Sequence, residues 1–199
     1  MTKKELEFVN YVKSECKKYN VKCDLRKTKY VKLSGSIKCS GYFESDDIRP
    51  VLVCSMNRKD WIEILAHEFC HLTQWVEKFK LWDPAMESMN IVDNWLNGED
   101  VSNIQYHAGL CRDLELDNEK RTVKLIKKFG LKVNIDQYIK KANSYILFYN
   151  HMLSTRRWTK PNKSPYGNKR LVNAMPSNFR IKYTKTPKHL EKIYIEENI

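Results

Sequence analysis

The stretch Ile64-Leu-Ala-His-Glu-Phe-Cys-His-Leu-Thr-Gln74 decides how the rest of this 199-residue chain is read. Its two histidines, His67 and His71, stand four residues apart, so on a helix they share a face and both imidazoles reach one cation. The surroundings predict that helix. Trp61, Leu65, Glu68/Phe69, Leu72, Trp75/Val76 and Phe79 recur at helical intervals over about residues 58–80, with Asn57 as the cap. Asp60, Ile64, His67, His71 and Gln74 form the neighbouring stripe. Leu65, Ala66, Phe69, Cys70 and Leu72 surround the histidines with uncharged side chains, as expected of a helix packed in an interior. The competing reading is plain: two partly buried helix histidines, satisfied by hydrogen bonds. A third ligand separates the two.

Glu68 follows His67 and points about a third of a turn away from it. A zinc ion on the histidines lowers the pKa of its water toward neutrality, and Glu68 is placed to accept that proton and relay it to a leaving amine. A catalytic zinc takes three protein ligands and keeps one position open. Downstream candidates for the third are Glu87, Asp93, His107, Glu115, Asp117 and Glu119. Within Leu114-Glu-Leu-Asp-Asn-Glu-Lys-Arg121, Glu115 and Glu119 are one helical turn apart; one carboxylate can bind the metal while the other takes the spare N–H of a ligating histidine. Against this stands a solvated acidic helix face.

His67-Glu-x-x-His71 followed some forty residues later by Glu115-x-Asp117-x-Glu119 resembles the gluzincin metallopeptidases. The closest pattern, E-x-(E/D)-x-D, is that of the HtpX-like peptidases and the small ImmA/IrrE-like and minigluzincin proteins. The segment from His67 through the ANSYILFYNHMLSTRRW run is also similar to metallopeptidases encoded by tailed bacteriophages. The resemblance implies Glu115 as third ligand and Glu119 in the place of the usual ligand-orienting Asp, a departure that leaves Glu119 open as a ligand. It implies an α+β mini-zincin of three to four mostly antiparallel strands, packed on an active-site helix and a glutamate helix. The edge strand of that sheet lines the substrate cleft, and residues 50–55 are its candidate, able to pair with an extended peptide. A Tyr or His that stabilises the developing oxyanion is also implied; Tyr106, His107, Tyr145, Tyr149 and His151 are available. His107 as a third histidine ligand would instead make the site SprT-like.

Outward from the motif, residues 3–19 place Leu6, Val9, Val12 and Cys16 as an amphipathic helix would. Residues 21–55 turn β-like, with segments at 30–33, 36–43 and 50–55 separated by Gly35, Gly41 and the acidic turn Glu44-Ser-Asp-Asp47. Further helices are predicted at about 84–96, 104–129 (stopped by Gly130) and 135–153, with short elements near 169–183 and 187–195. No Gly/Ser- or Pro-rich linker divides the chain, so one compact domain is expected: a zincin-like part over residues 1–155 and a basic arm over 156–199 packed on it. The start has no apolar h-region and no apolar run reaches membrane length, so a cytoplasmic protein without a membrane partner is expected, in the host cell if phage-encoded. Six scattered cysteines without a C-x-x-C pair read as free thiols.

The net charge of +12 is uneven. Residues 1–40 carry +7 and residues 151–190 carry +10 with no acid at all, whereas residues 41–150 come to −3. The basic arm mixes cations with aromatics: Arg156-Arg157-Trp158, Lys160, Lys163, Tyr166, Lys169-Arg170, Phe179-Arg-Ile-Lys182-Tyr183 and Lys185. Such a mixture suits phosphate contacts and base stacking, and equally suits a solvated surface with Trp158 and Tyr166 stapling the arm down. Two functions are therefore expected in order: a zinc metallopeptidase acting on a protein or peptide, and, as the alternative, a nucleic-acid-associated binding protein with a structural or inactive zinc site.

Overall fold

The structure is a computed structural model that describes residues 1–33, 37–45, 49–160, 163–180 and 183–199. It is mixed α+β: among the described residues, seven α-helices accompany a three-stranded and a two-stranded sheet. The predicted break at Gly35, the first residue of the strand expected from Ser36, Asp46-Asp47 of the acidic turn and Lys182 of the arm lie outside the described residues. The chain divides into two compact units, Met1–Phe79 with Arg121–Val133, and Lys80–Lys120 with Asn134–Ile199.

The first unit opens with α1 (Lys3–Lys18), started by a reciprocal cap in which Thr2 Oγ1 accepts from the Glu5 amide at 3.2 Å and Glu5 accepts from the Thr2 amide at 2.6 Å. Its buried stripe is Phe8, Val9, Val12 and Cys16; Leu6, expected on that stripe, is exposed. Phe8 replaces it, its ring packed 6.5 Å from Phe69 and 5.1 Å from Phe129.

Five strands follow: β1 (Lys22–Arg26), β2 (Val31–Lys32), β3 (Lys38–Cys39), β4 (Gly41–Glu44) and β5 (Val51–Ser55). The three-stranded sheet has the order β1-β5-β4, with β1 parallel and β4 antiparallel to β5, and β2 pairs antiparallel with β3. The pairing is mostly antiparallel, as expected, with β1, a strand the sequence pattern did not show, joining in parallel. One expectation is corrected here. Residues 50–55 are not the edge: β5 is central, with Leu52, Val53, Cys54 and Ser55 wholly buried, and β4 is the terminal strand on the antiparallel side. Helix α2 (Trp61–Val76) returns over this sheet, burying Leu65, Ala66 and Phe69.

The second unit is helical: α3 (Trp82–Leu96), the first part of α4 (Ile104–Phe129), α5 (Ile135–Thr155), α6 (Lys169–Ala174) and α7 (Lys188–Glu196). The last turns of α4 belong to the first unit, and the helix ends before Gly130, whose φ of 56° is the left-handed conformation that glycine adopts without strain. Asn134 and Asn168 cap α5 and α6 through their side-chain oxygens. Ile146, Leu147, Phe148 and Met152 of α5 form a fully buried core with Leu171, Leu190 and Tyr194. No helix among the described residues is long and apolar enough to cross a membrane.

Candidate metal centre

Helix α2 starts three residues later than the Asn57 cap predicts, behind Asp60. The Asp60 carboxylate makes no cap hydrogen bond; it holds the Arg58 guanidinium with two bonds of 3.0 Å. Over the next two turns the helix presents His67, Glu68 and His71, all half-buried, with the two imidazole rings 4.8 Å apart. The ligand atoms of His67, His71 and Glu115 all lie within 4.8 Å of one another, a cluster that could hold a metal ion.

Glu115 arrives on an unusual helix face. Glu115, Asn118, Glu119 and Thr122 occupy i, i+3, i+4 and i+7 positions of α4, where an apolar stripe is the rule, and all four are at most 8% exposed. Burying that many polar groups is costly unless each is engaged. Tyr138 meets Glu119, donating its hydroxyl to Oε2 at 2.5 Å. Glu119 is therefore oriented by α5 and stands outside the three-residue cluster. The remaining sequence candidates are placed elsewhere. Glu87 and Asp93 are exposed, Asp117 is half-buried, and His107 sits with Nδ1 3.0 Å from the hydroxyl of buried Ser88.

Gln74 is the residue whose role sequence reasoning missed, although it was on the histidine stripe. It is fully buried, and its Oε1 lies 3.0 Å from His71 Nδ1. An amide oxygen only accepts, so Nδ1 carries the proton and Nε2 keeps the lone pair that a metal needs. Burial, reinforced by neighbouring His67 and opposed by Gln74, pushes His71 down to about 3. The ring is thus neutral, the ligating form, across the ordinary pH range.

Strand β4 passes hard against this helix. A Cβ on Gly41 would stand 2.8 Å from the Val53 carbonyl oxygen, 2.9 Å from Ile64 Cγ2 and 3.1 Å from Glu68 Cγ. Only a residue without a side chain lets the strand and Glu68 lie this close. Of the five aromatic donors considered from sequence, Tyr145 and Tyr149 lie in the field of Glu115. Burial first and then the Glu115 charge push the Tyr145 hydroxyl well above its ordinary value; for Tyr149 the order is burial, Tyr145 and Glu115. Both remain protonated donors. Tyr106 is exposed and His151 lines a different cavity.

The basic arm is tied to its own chain. Arg156 donates to the carbonyls of Trp95 at 2.8 Å and Glu99 at 2.6 Å, and Arg170 pairs with Glu196 and Glu197. Lys160 and Lys163 reach Asn198 and the Glu197 carbonyl. Trp158 packs against Phe148, Tyr149 and Tyr145, and Tyr166 against Tyr145, which is the staple arrangement. Arg157, Lys169 and half the surface of Tyr166 face solvent. All six cysteines are free. In comparisons with known proteins, no family model, no curated sequence and no solved structure matched this chain.

Proposed function

We propose that this chain is a zinc metallopeptidase with a gluzincin-type site. The observation that carries the reading is the convergence of His67, His71 and Glu115 within 4.8 Å, with Glu68 next to the first histidine on the same helix. Two imidazole nitrogens and one carboxylate suit zinc, whereas calcium and magnesium take oxygen donors. Three protein ligands also leave a coordination position for chemistry. Zinc bound there would supply Lewis acidity, lowering the pKa of a water and polarising a carbonyl.

The chain's own groups do the rest. Glu68 takes the proton of the attacking water and delivers it to the leaving amine. Gln74 fixes the tautomer of His71, and Glu119, held by Tyr138, orients a ligand. Tyr145 or Tyr149, kept protonated by burial, donates to the oxygen where negative charge develops. The terminal strand β4, in place of residues 50–55, offers its outer side to an extended peptide, and Gly41 keeps that strand close to Glu68. A mini-zincin layout with a specific protein target follows from this reading.

Glu68→Gln tests it. The variant should keep its zinc while cleavage of unfolded protein and peptide libraries falls by about a hundredfold or more. Equal cleavage by wild type and variant would remove the peptidase reading. The exposed Arg157, Lys169 and Tyr166 favour a second one, a nucleic-acid-associated protein; it predicts salt-dependent DNA or RNA retention that survives Glu68→Gln and is lost on reversing the charges of Arg157 and Lys169.

A further inference from the structure

All six cysteines carry free thiols, and two of them are placed to react with each other. We propose that Cys16 and Cys23 form a reversible disulfide that clasps the end of α1 to strand β1 within the first unit. Neither residue belongs to the metal cluster, so the inference stands apart from the peptidase reading.

The turn between the two residues builds the pair. Helix α1 ends in a Schellman motif: the Val21 amide donates to the Cys16 carbonyl at 2.8 Å, the Asn20 amide donates to the Lys17 carbonyl at 3.2 Å, and Asn20 takes the left-handed conformation with φ 55°. Val21 is thereby returned to the turn of helix that carries Cys16. Two residues further along the extended chain, Cys23 comes back to the side that Val21 occupies. Cys16 ends the buried stripe of α1 at 1% exposure, whereas Cys23 is half-buried. The thiols meet there, and a hydrogen bond between them is the largest influence on both. It pushes Cys16 up, with burial adding to it, and pushes Cys23 down, against burial and with help from Lys13. Cys54 is raised by burial, by Glu68 and only then by Cys23; the parallel register sets it opposite Leu25, and its sulfur lies 3.6 Å from the Trp61 carbonyl.

This asymmetry suits thiol–disulfide exchange with a small disulfide such as oxidised glutathione. Cys23, the more accessible and more acidic thiol, gives up its proton to solvent and attacks one sulfur of the reagent. The reagent's S–S bond breaks, one half leaves as a thiolate that takes a proton, and Cys23 carries the other half. Cys16 then loses its proton and attacks the Cys23 sulfur, forming the Cys16–Cys23 bond and displacing the second half as a thiol. Two protein thiols are oxidised, and one small disulfide is reduced to two thiols. Because Cys16 already touches Cys23, the buried thiol needs no access of its own. The bridge closes a loop of eight residues, from Cys16 to Cys23, and so removes conformations open to the unfolded chain.

The experiment incubates the folded full chain with oxidised glutathione, removes the reagent, alkylates the remaining thiols in denaturant and maps the chain by mass spectrometry without reduction. Trypsin cuts after Lys17, Lys18 and Lys22, between the two cysteines, so the bridge appears as two linked peptides. Wild type should show that linked pair, lose two alkylatable thiols and unfold about 5 °C higher than the reduced protein, and dithiothreitol should reverse all three. Cys16→Ala should stop at the glutathione adduct on Cys23, and Cys23→Ser should show neither bridge nor gain. If Cys16→Ala, a core variant, does not fold, wild type and Cys23→Ser still decide. Cys16 recovered as an alkylated thiol after oxidation of wild type would overturn the proposal. So would a bridge from Cys23 to Cys54, a bridge that forms only after denaturation, or a bridge that leaves the unfolding midpoint where it was.

Discussion

Helix α2 and residues 151–190 both advertise themselves in the sequence by their polar groups, and they use them in opposite directions. On α2 and on the middle of α4, polar side chains are turned inward: Gln74 and Asn118 are fully buried, and Glu115 and Glu119 nearly so. In the arm, cations are turned outward and held by the chain's own carbonyls and carboxylates, as Arg156 and Arg170 are. The difference teaches which signal carries chemistry. Burying a carboxylate is so costly that a fold retains it only with a partner, whereas surface ion pairs are weak and cheap to keep. Inward polarity marks a site; outward polarity marks a surface.

The sharpest way to break the comparison is Glu115→Ala. If buried polarity on α4 exists to hold a metal, this change should lower zinc affinity by more than about a hundredfold. Elemental mass spectrometry should then find close to one zinc per chain in wild type and almost none in the variant. Glu119→Ala should keep most of its zinc if, as proposed, its carboxylate is held by Tyr138 and acts on the metal only through another ligand. Equal loss in both variants would make Glu119 a ligand. No zinc in wild type would make α2 a helix that only spells like a site.

Next in size is Gly41→Ala. The new methyl group meets a backbone carbonyl oxygen at 2.8 Å, which cannot rotate away, so overpacking should cost about 1–3 kcal/mol. Denaturant unfolding should show that loss. Peptide cleavage should fall further than the unfolded fraction accounts for, since β4 and Glu68 must separate. A variant as stable and as active as wild type would show that β4 does not lie against Glu68.

How legible this was in the sequence differs by region for the same reason. His67 and His71 could be named because helical spacing is rigid: residues four apart must share a face. The same spacing left Glu115 and Glu119 equivalent, and only the resemblance to the gluzincins implied Glu115. Gln74 was visible on the same stripe, but its bond to His71 depends on a rotamer, which spacing does not fix. In the sheet, Lys22-Cys-Asp-Leu-Arg26 has charge at three of five positions and no fully buried residue, so β1 gives almost no period-two signal. The unbroken run Val51-Leu-Val-Cys54 is the mark of a strand covered on both sides, which argues for the centre and not for an edge. In the arm, charge alone left a nucleic-acid surface and a solvated one open, and the acids that hold Arg170 come from beyond residue 190.

Gln74→Leu sharpens the inward half of the contrast by a smaller step. Removing the acceptor frees His71 to place its proton on either nitrogen, so zinc affinity, read by competition with a chelator, should drop about tenfold with the fold intact. Unchanged affinity would reduce Gln74 to a packing residue.

The smallest effect is expected at the outward half, from Arg170→Gln. The guanidinium is engaged by both Glu196 and Glu197, yet about half of its side chain is open to water, where solvent and salt screen such pairs. The unfolding midpoint should therefore move by no more than about 3 °C. Retention on immobilised DNA should not change either, because a cation already neutralised by two carboxylates releases little when it meets a phosphate. Arg157→Gln makes the matched control, since that side chain is exposed and lies outside both ion pairs. If Arg170→Gln weakened retention as much as Arg157→Gln, the ion pairs would have to open on binding. The arm would then be a nucleic-acid surface held shut by its own acids, and the contrast between inward and outward polarity would fail at its weaker end.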